Sequence, residues 1–198
     1  KNKVDLIFNI NLGKKAKIKK ITFIGNKIFK DGKLNNLIVS EEYKFWKIIS
    51  GKKYLNENLI NLDKRLLRNF YLNKGYYDVV INSTFAKLVD DESFELIFNI
   101  DAKNKFFFDE LKITLPNDFD EMNFESLNNF FSDLKNEPYS INAVEDIINE
   151  IDKISLSEQY VSTKVNVIEN ILDNKINITF KIEDTEKYIV EKINIFGN

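Results

Sequence analysis

The sequence predicts an α+β protein made of tandem repeats, in which each repeat has the order strand, helix, helix, strand, strand. Each repeat is expected to form a three-stranded mixed sheet that two helices cover on one face. Two observations lead to this prediction. A seven-residue strand pattern occurs three times, and a further strand follows each copy at a matching distance. Two separate segments that recur at the same offsets indicate a repeating unit of about 80 to 90 residues.

The recurring pattern occupies residues 4–10 and returns at 94–100 and 176–182, which are shifts of 90 and 82 positions. In each copy the first, third, fifth and seventh residues are apolar. This alternation is typical of a strand with one buried face. The companion strands begin with the same two shifts, at Ile18, Phe108 and Val190.

These offsets divide the chain into two complete units, which we predict at residues 16–102 and 104–184. Residues 1–13 are expected to be the last strand of a truncated preceding repeat. Residues 187–198 are expected to be the first strand of a truncated following repeat. The chain has no initiator methionine and opens directly on a strand pattern, so we expect it to be part of a longer protein.

In the first unit, the turn pair Gly25-Asn26 ends the opening strand, and Asp31 is expected to cap a short helix. Asn56 is expected to cap a longer helix, in which apolar residues recur at spacings of three and four. Lys74-Gly75 ends this helix, since glycine readily takes the left-handed conformation. Residues 79–89 and 94–100 then form a hairpin.

The second unit repeats this order with local changes. Proline replaces glycine after its first strand, at Pro116, and Ser140 is expected to cap its longer helix. Gln159 stands where the first unit has Gly75, so this helix end is expected to be looser or differently capped. A hairpin with Asp173-Asn174 as its turn closes the unit.

Composition excludes several classes of function. The net charge is −2, and only two of the 29 basic residues are arginine, so nucleic acid is not expected as a partner. Histidine and cysteine are absent, which removes the commonest metal ligands, the usual nucleophile–base pairs and any disulfide. The acidic clusters at 90–92 and 118–121 fall at predicted turns and lack the ligand spacing of a calcium loop. We therefore predict a protein without enzymatic activity, metal or cofactor.

The chain resembles the POTRA repeat over nearly its whole length. The residues that carry this resemblance are the segment Ile21-Thr-Phe-Ile-Gly-Asn26 and the segment Leu66-Leu-Arg-Asn-Phe-Tyr-Leu-Asn-Lys-Gly-Tyr76. A tyrosine before the longer helix, Tyr54 or Tyr139, is a further match. The aromatic insert followed by Lys53-Tyr54 is similar to the third such repeat of outer-membrane β-barrel assembly proteins. The two complete units would then be the third and fourth repeats, between parts of the second and fifth.

The resemblance implies the periplasmic portion of a Gram-negative outer-membrane protein. Such an arm is expected to receive unfolded outer-membrane β-barrel proteins and to dock accessory lipoproteins, while a C-terminal membrane barrel in the full-length chain inserts the clients. Two alternatives remain at this stage. One is the POTRA arm of another transporter, such as a two-partner secretion transporter, a translocation and assembly protein or an organelle import pore. The other is a passive structural spacer.

Strand order gives a candidate site. If the opening strand lies beside the last strand of its unit, the first hairpin strand is left at a sheet edge with unpaired backbone groups. An extended polypeptide can add to such an edge by backbone hydrogen bonds. The predicted client or partner edge comprises Val79, Val80, Ile81, Asn82, Ser83, Thr84 and Phe85.

A second candidate lies in the irregular stretch 41–54, which contains the only tryptophan. Its aromatic residues either cover the end of the core or form a patch that binds a partner. We predict Phe45 and Trp46 as a secondary partner patch.

Overall fold

The computed structural model describes residues 16–46, 51–90, 93–160 and 163–184, with side chains except those of 85–90 and 184. The strands predicted within 1–13 and 187–198 lie outside these ranges, as do Asp91 and Glu92. Among the described helices, none has the length and apolar character needed to cross a bilayer.

The first unit contains one three-stranded mixed sheet. Strand β1 lies parallel to β3, and β2 lies antiparallel to β3, which gives the order β1-β3-β2. A short 3-10 turn, Gly51–Lys53, precedes the second helix. The elements in chain order are β1 (Lys17–Asn26), α1 (Asp31–Asn35), α2 (Glu57–Leu72), β2 (Val80–Asp90) and β3 (Ser93–Asp101).

The second unit repeats the same topology. Its sheet has the order β4-β6-β5, with β4 parallel and β5 antiparallel to β6. A 3-10 turn at Glu121–Phe124 precedes its first helix. The elements are β4 (Phe107–Thr114), α3 (Leu127–Leu134), α4 (Ile141–Ser157), β5 (Thr163–Leu172) and β6 (Lys175–Asp184). The α+β class and the mixed three-stranded sheets predicted from the sequence are confirmed.

The recurring strand pattern forms the centre of each core. Apart from the half-buried Phe94, the alternating apolar residues of β3 and β6 are fully or almost fully buried, in strands that each lie between two neighbours. These residues are Leu96, Phe98, Ile100, Ile176, Ile178, Phe180 and Ile182. Burying such a side chain contributes about 1.5 to 3 kcal/mol, so these two strands dominate the stability of their units.

The structure divides into two compact units by its internal contacts. The divisions fall between Arg68 and Asn69, between Val79 and Val80, and between Ala102 and Lys103. The last turn of α2 and the following loop therefore group with the second unit, and Leu72 belongs to the second core.

Two of the predicted helix caps are confirmed and one is wrong. Asn56 Oδ1 accepts from the Leu59 amide at 3.2 Å, and Ser140 Oγ accepts from the Ala143 amide at 3.3 Å. Asp31 is not a cap, because α1 begins at Asp31 itself and Lys30 takes the capping position without a side-chain bond. The Asp31 carboxylate instead pairs with the Lys27 ammonium one turn earlier.

The expectation that Gln159 would change the helix end is also wrong. Gln159 adopts φ +61° and Gly75 adopts φ +91°, so both take the left-handed conformation. The following amide closes the same bond in each case: Tyr76 N donates to Tyr71 O at 3.0 Å, and Tyr160 N donates to Ser155 O at 2.8 Å. The second unit therefore ends its helix in the same way, with Gln159 in a left-handed conformation although it has a Cβ.

Candidate partner-binding edge

The structure places the predicted segment 79–85 at and just before the start of β2. Strand β2 pairs with β3 from Val80↔Asp101 to Phe85↔Leu96, and in the described part of the chain no other strand pairs with it. Val79 precedes the strand and is buried, and its amide donates to Tyr76 O at 3.3 Å. Strand β2 is thus an edge strand, as strand order predicted.

Hydrogen-bond alternation identifies which backbone groups of β2 face outward. Ala102 N donates to Asn26 O at 3.1 Å, so Ala102 faces β1. Because successive residues of a strand face opposite neighbours, Asn99 faces β2 and bonds the residue opposite it, Asn82. The outward N–H and C=O groups of β2 therefore belong to Ile81, Ser83 and Phe85. Sequence reasoning found the edge but could not select these residues, because that requires the register.

The side chains of β2 alternate as expected for a half-covered strand. Ile81 and Ser83 are half-buried, whereas Val80, Asn82 and Thr84 are exposed, with Val80 at 45%. Asn82 and Thr84 keep the outer face polar. An added strand would therefore gain most of its binding from the backbone rather than from a specific side-chain pocket.

Contacts that the sequence did not predict anchor the insert between the two helices. Asp63 on α2 is fully buried, and its Oδ1 accepts from the amides of Val39 at 2.6 Å and Ser40 at 3.3 Å. Lys53 is only 4% exposed, and its ammonium lies 5.2 Å from the Tyr43 ring centroid and 5.6 Å from that of Tyr54. The only sequence signal for Asp63 was its spacing, because it lies three and four positions from apolar residues on both sides and so falls on the apolar face of α2.

The aromatic pair predicted as a secondary patch is exposed. Phe45 is 77% exposed and Trp46 is 63% exposed, so neither covers the end of the core. Their rings meet edge to face with centroids 4.6 Å apart, and Lys44 Nζ lies 6.0 Å from the Trp46 ring centroid. Of the two interpretations left open by the sequence, this geometry favours a partner patch.

Where the structure describes the acidic clusters, one of their side chains bonds to nearby backbone. Asp120 caps the 3-10 turn, because its Oδ1 accepts from the Met122 amide at 3.0 Å. Within the described ranges, no three acidic side chains come together in an arrangement that could hold a metal ion.

The fold of each unit, with its open edge, is similar to that of a known class of domain, the POTRA repeat. Residues 16–103 match the POTRA family model, described as "Surface antigen variable number repeat". The second unit has the same element order and sheet topology as the first. Residues 16–103 thus match a POTRA repeat, and the resemblance read from the sequence is confirmed.

The curated relatives to which the chain is similar include outer membrane protein assembly factors named BamA. The chain is 26% identical over 205 residues to BamA of Buchnera aphidicola, and 25% identical over 201 residues to BamA of Neisseria meningitidis. Both matches cover 100% of the chain but only 32% and 25% of the relatives, so the chain spans about a quarter to a third of their length.

Solved structures agree at the level of the fold. The BamA POTRA3-5 structure from Haemophilus influenzae matches with a TM-score of 0.65 and 18% identity, over 86% of this chain and 67% of that one. The POTRA1-2 structure of Omp85 from Anabaena matches with a TM-score of 0.53 and 10% identity, over 88% and 98%.

Proposed function

We propose that this chain is a periplasmic scaffold in the assembly of outer-membrane β-barrel proteins, and that it binds unfolded clients by strand addition at β2. The observation that carries this proposal is the open side of β2, where the backbone groups of Ile81, Ser83 and Phe85 meet no strand in the described part of the chain. Similarity to BamA along the whole chain supports the setting.

The repeats 16–102 and 104–184 are proposed to be the third and fourth of the periplasmic arm, with a C-terminal membrane barrel elsewhere in the full-length protein. Phe45 and Trp46 would dock an accessory lipoprotein, since exposed aromatic residues are favoured at protein interfaces. The role is non-enzymatic and needs no cofactor, because holding an extended chain requires only hydrogen bonds and apolar contact.

Three outward residues offer up to six hydrogen bonds to an added strand. At a net value of roughly 1 kcal/mol each, set against several kcal/mol of association cost, binding is expected to be about millimolar to high micromolar. Such weak binding suits a scaffold that hands on a client, because each contact releases easily. Several edges acting together would hold the client by avidity.

A proline at Ser83 tests the edge. It removes an outward N–H and leaves the bonds between β2 and β3 intact, since proline is tolerated at the open side of an edge strand. Ser83→Pro is expected to reduce photo-crosslinking of the chain to an unfolded barrel protein at least threefold. A proline at Asn82 would be uninformative, because the Asn82 amide faces β3.

Ser83→Ala is the matched control, because it removes the same hydroxyl and keeps the N–H. It is expected to crosslink as the unchanged chain does. Equal crosslinking by the proline and alanine variants, with both chains folded by circular dichroism, would rule out β2 as the client edge.

A passive spacer is the alternative to a binding scaffold. It predicts no crosslink to any unfolded client, with or without the proline. Substituting both Phe45 and Trp46 with alanine would likewise leave the capture of an accessory lipoprotein unchanged.

A further inference from the structure

The second unit has another open sheet edge, on β4, and a groove lies beside it. The groove has a volume of about 440 Å³ and is formed by the end of β4, the 3-10 turn at Glu121–Phe124 and the start of α3. Phe124, which is 2% exposed, lies at its base, and the half-buried Ile113 and Leu115 form one wall. The exposed side chains of Glu121, Glu125 and Asn128 line the remainder.

The equivalent edge of the first unit, on β1, shows which groups can bond to this position in the fold. There the outer side of β1 is occupied by the chain's own groups. Tyr43 N donates to Ile18 O, Ile21 N donates to Glu42 Oε1 at 3.0 Å, and Lys27 Nζ donates to Phe23 O at 2.9 Å. An extended segment and two side chains thus satisfy the outward groups along this strand.

The second unit reproduces only the first part of this arrangement. Asn136 N donates to Phe108 O at 2.9 Å, which matches the bond from Tyr43 N to Ile18 O in the first unit. Leu111 and Ile113 correspond to Ile21 and Phe23, since Leu111 lies opposite Ile178 as Ile21 lies opposite Leu96. Their N–H and C=O groups face outward in the same way.

Among the described residues of the second unit, no group takes the place of the partners of Ile21 and Phe23. In the described part of the chain, no hydrogen bond reaches the outer side of Leu111 or Ile113. Asn117 stands ninety positions after Lys27, and the link from α3 to α4 is too short to provide a counterpart of Glu42. Unpaired edge groups beside a groove with a few apolar side chains and a mostly polar lining are features that an added strand can use.

Charge indicates what kind of chain would fit. Residues 116–134 contain five acidic residues and no lysine or arginine. Two of the acidic side chains, Glu121 and Glu125, line the groove itself and are exposed. A lysine or arginine on the added strand would meet these carboxylates, whereas an acidic side chain would be repelled.

We propose that β4 and this groove bind an extended, basic segment of a partner protein, with apolar side chains over Phe124 and a lysine or arginine between Glu121 and Glu125. About five residues of the partner would lie along 111–115, at roughly 3.3 Å for each residue. The site is separate from the β2 edge, so either can exist without the other.

The test uses the ¹⁵N-labelled chain and the blocked seven-residue peptide Val-Ser-Val-Ser-Lys-Ser-Lys, whose valines and lysines share one face of an extended strand. We expect the peptide to shift the amide signals of Leu111, Ile113 and Glu121. A matched peptide with glutamate in place of each lysine should shift them much less. The double variant Glu121→Lys/Glu125→Lys should bind the lysine peptide about tenfold more weakly and should bind the glutamate peptide better.

The variant Glu145→Lys/Asp152→Lys is the control, because it makes the same change in net charge at exposed positions of α4. It should leave the binding of the lysine peptide unchanged. Equal weakening by the two double variants would mean general charge attraction and would overturn the proposal. Shifts confined to 80–85 of β2, or shifts that depend on the chain's own concentration and not on the peptide, would overturn it as well.

Discussion

Gln159 pays a conformational cost that Gly75 avoids at the same place in the first unit. A residue with a Cβ in the left-handed conformation is about 1 kcal/mol less favourable than glycine. We therefore expect Gln159→Gly to raise the free energy of unfolding of the second unit by about 0.5 to 1 kcal/mol, since added freedom in the unfolded chain offsets part of the gain. Urea denaturation measures this.

Gln159→Ala is the control, because alanine keeps the Cβ. It should leave stability within about 0.5 kcal/mol of the starting value. A larger gain from alanine than from glycine would show that the strain is not at the backbone of residue 159.

The structural roles of glycine and proline could be predicted from the sequence because their backbone preferences are local. The turn at Gly25 is an example: Gly25 adopts φ +88°, and a Cβ there would lie 2.6 Å from Asn99 Oδ1. The burial of Asp63 and Lys53 could not be predicted in this way. Their burial depends on a loop that returns to α2 from 23 or 24 positions earlier in the chain, and on two tyrosine rings. Such contacts are decided by tertiary packing.

At the level of elements, the repeat predicted the strands because alternation of apolar residues is a property of each strand alone. The edge position of β2 also followed, since a parallel β1 and an antiparallel β2 must lie on opposite sides of β3. The outward groups at Ile81 and Ser83 did not follow. A shift of one residue in the register would reverse which amides face outward, and the sequence does not determine that register.

Glu42 shows how the insert protects one of these edges. Its carboxylate accepts from the Ile21 amide, so Glu42→Ala should leave that amide without its protein partner. We expect hydrogen exchange at Ile21 to accelerate about tenfold, with little change at Phe98 in the centre of the sheet. Exchange measured residue by residue by NMR checks this.

Glu42→Gln keeps an oxygen that can accept the bond and should retain most of the protection at Ile21. If the alanine variant exchanged no faster than the glutamine variant, the carboxylate would not be covering the β1 edge. The comparison with the outer side of β4 at Leu111 and Ile113 would then lose its basis.

At the level of the whole molecule, α2 contributes to two separately packed cores. Leu67 is fully buried in the first unit, and Leu72, five positions later, is 3% exposed in the core of the second. Nearby, Asn73 Oδ1 accepts from the Asn142 amide and from Ser140 Oγ, each at 2.9 Å, at the start of α4. Residues 69–79 therefore pack with 103–184, although the sequence repeat assigns them to the preceding unit.

Two leucine substitutions on this one helix separate the two cores. Leu72→Ala should destabilise the second unit by about 2 to 4 kcal/mol, because it removes a buried side chain and leaves a cavity. Leu67→Ala should do the same to the first unit. Hydrogen exchange in urea distinguishes them: the amides of β6 should lose protection first in Leu72→Ala, and those of β3 first in Leu67→Ala. If Leu72→Ala loosened β3 and spared β6, the last turn of α2 would belong with the first repeat, and a shortened chain beginning at residue 104 would be as stable as the same unit within the full chain.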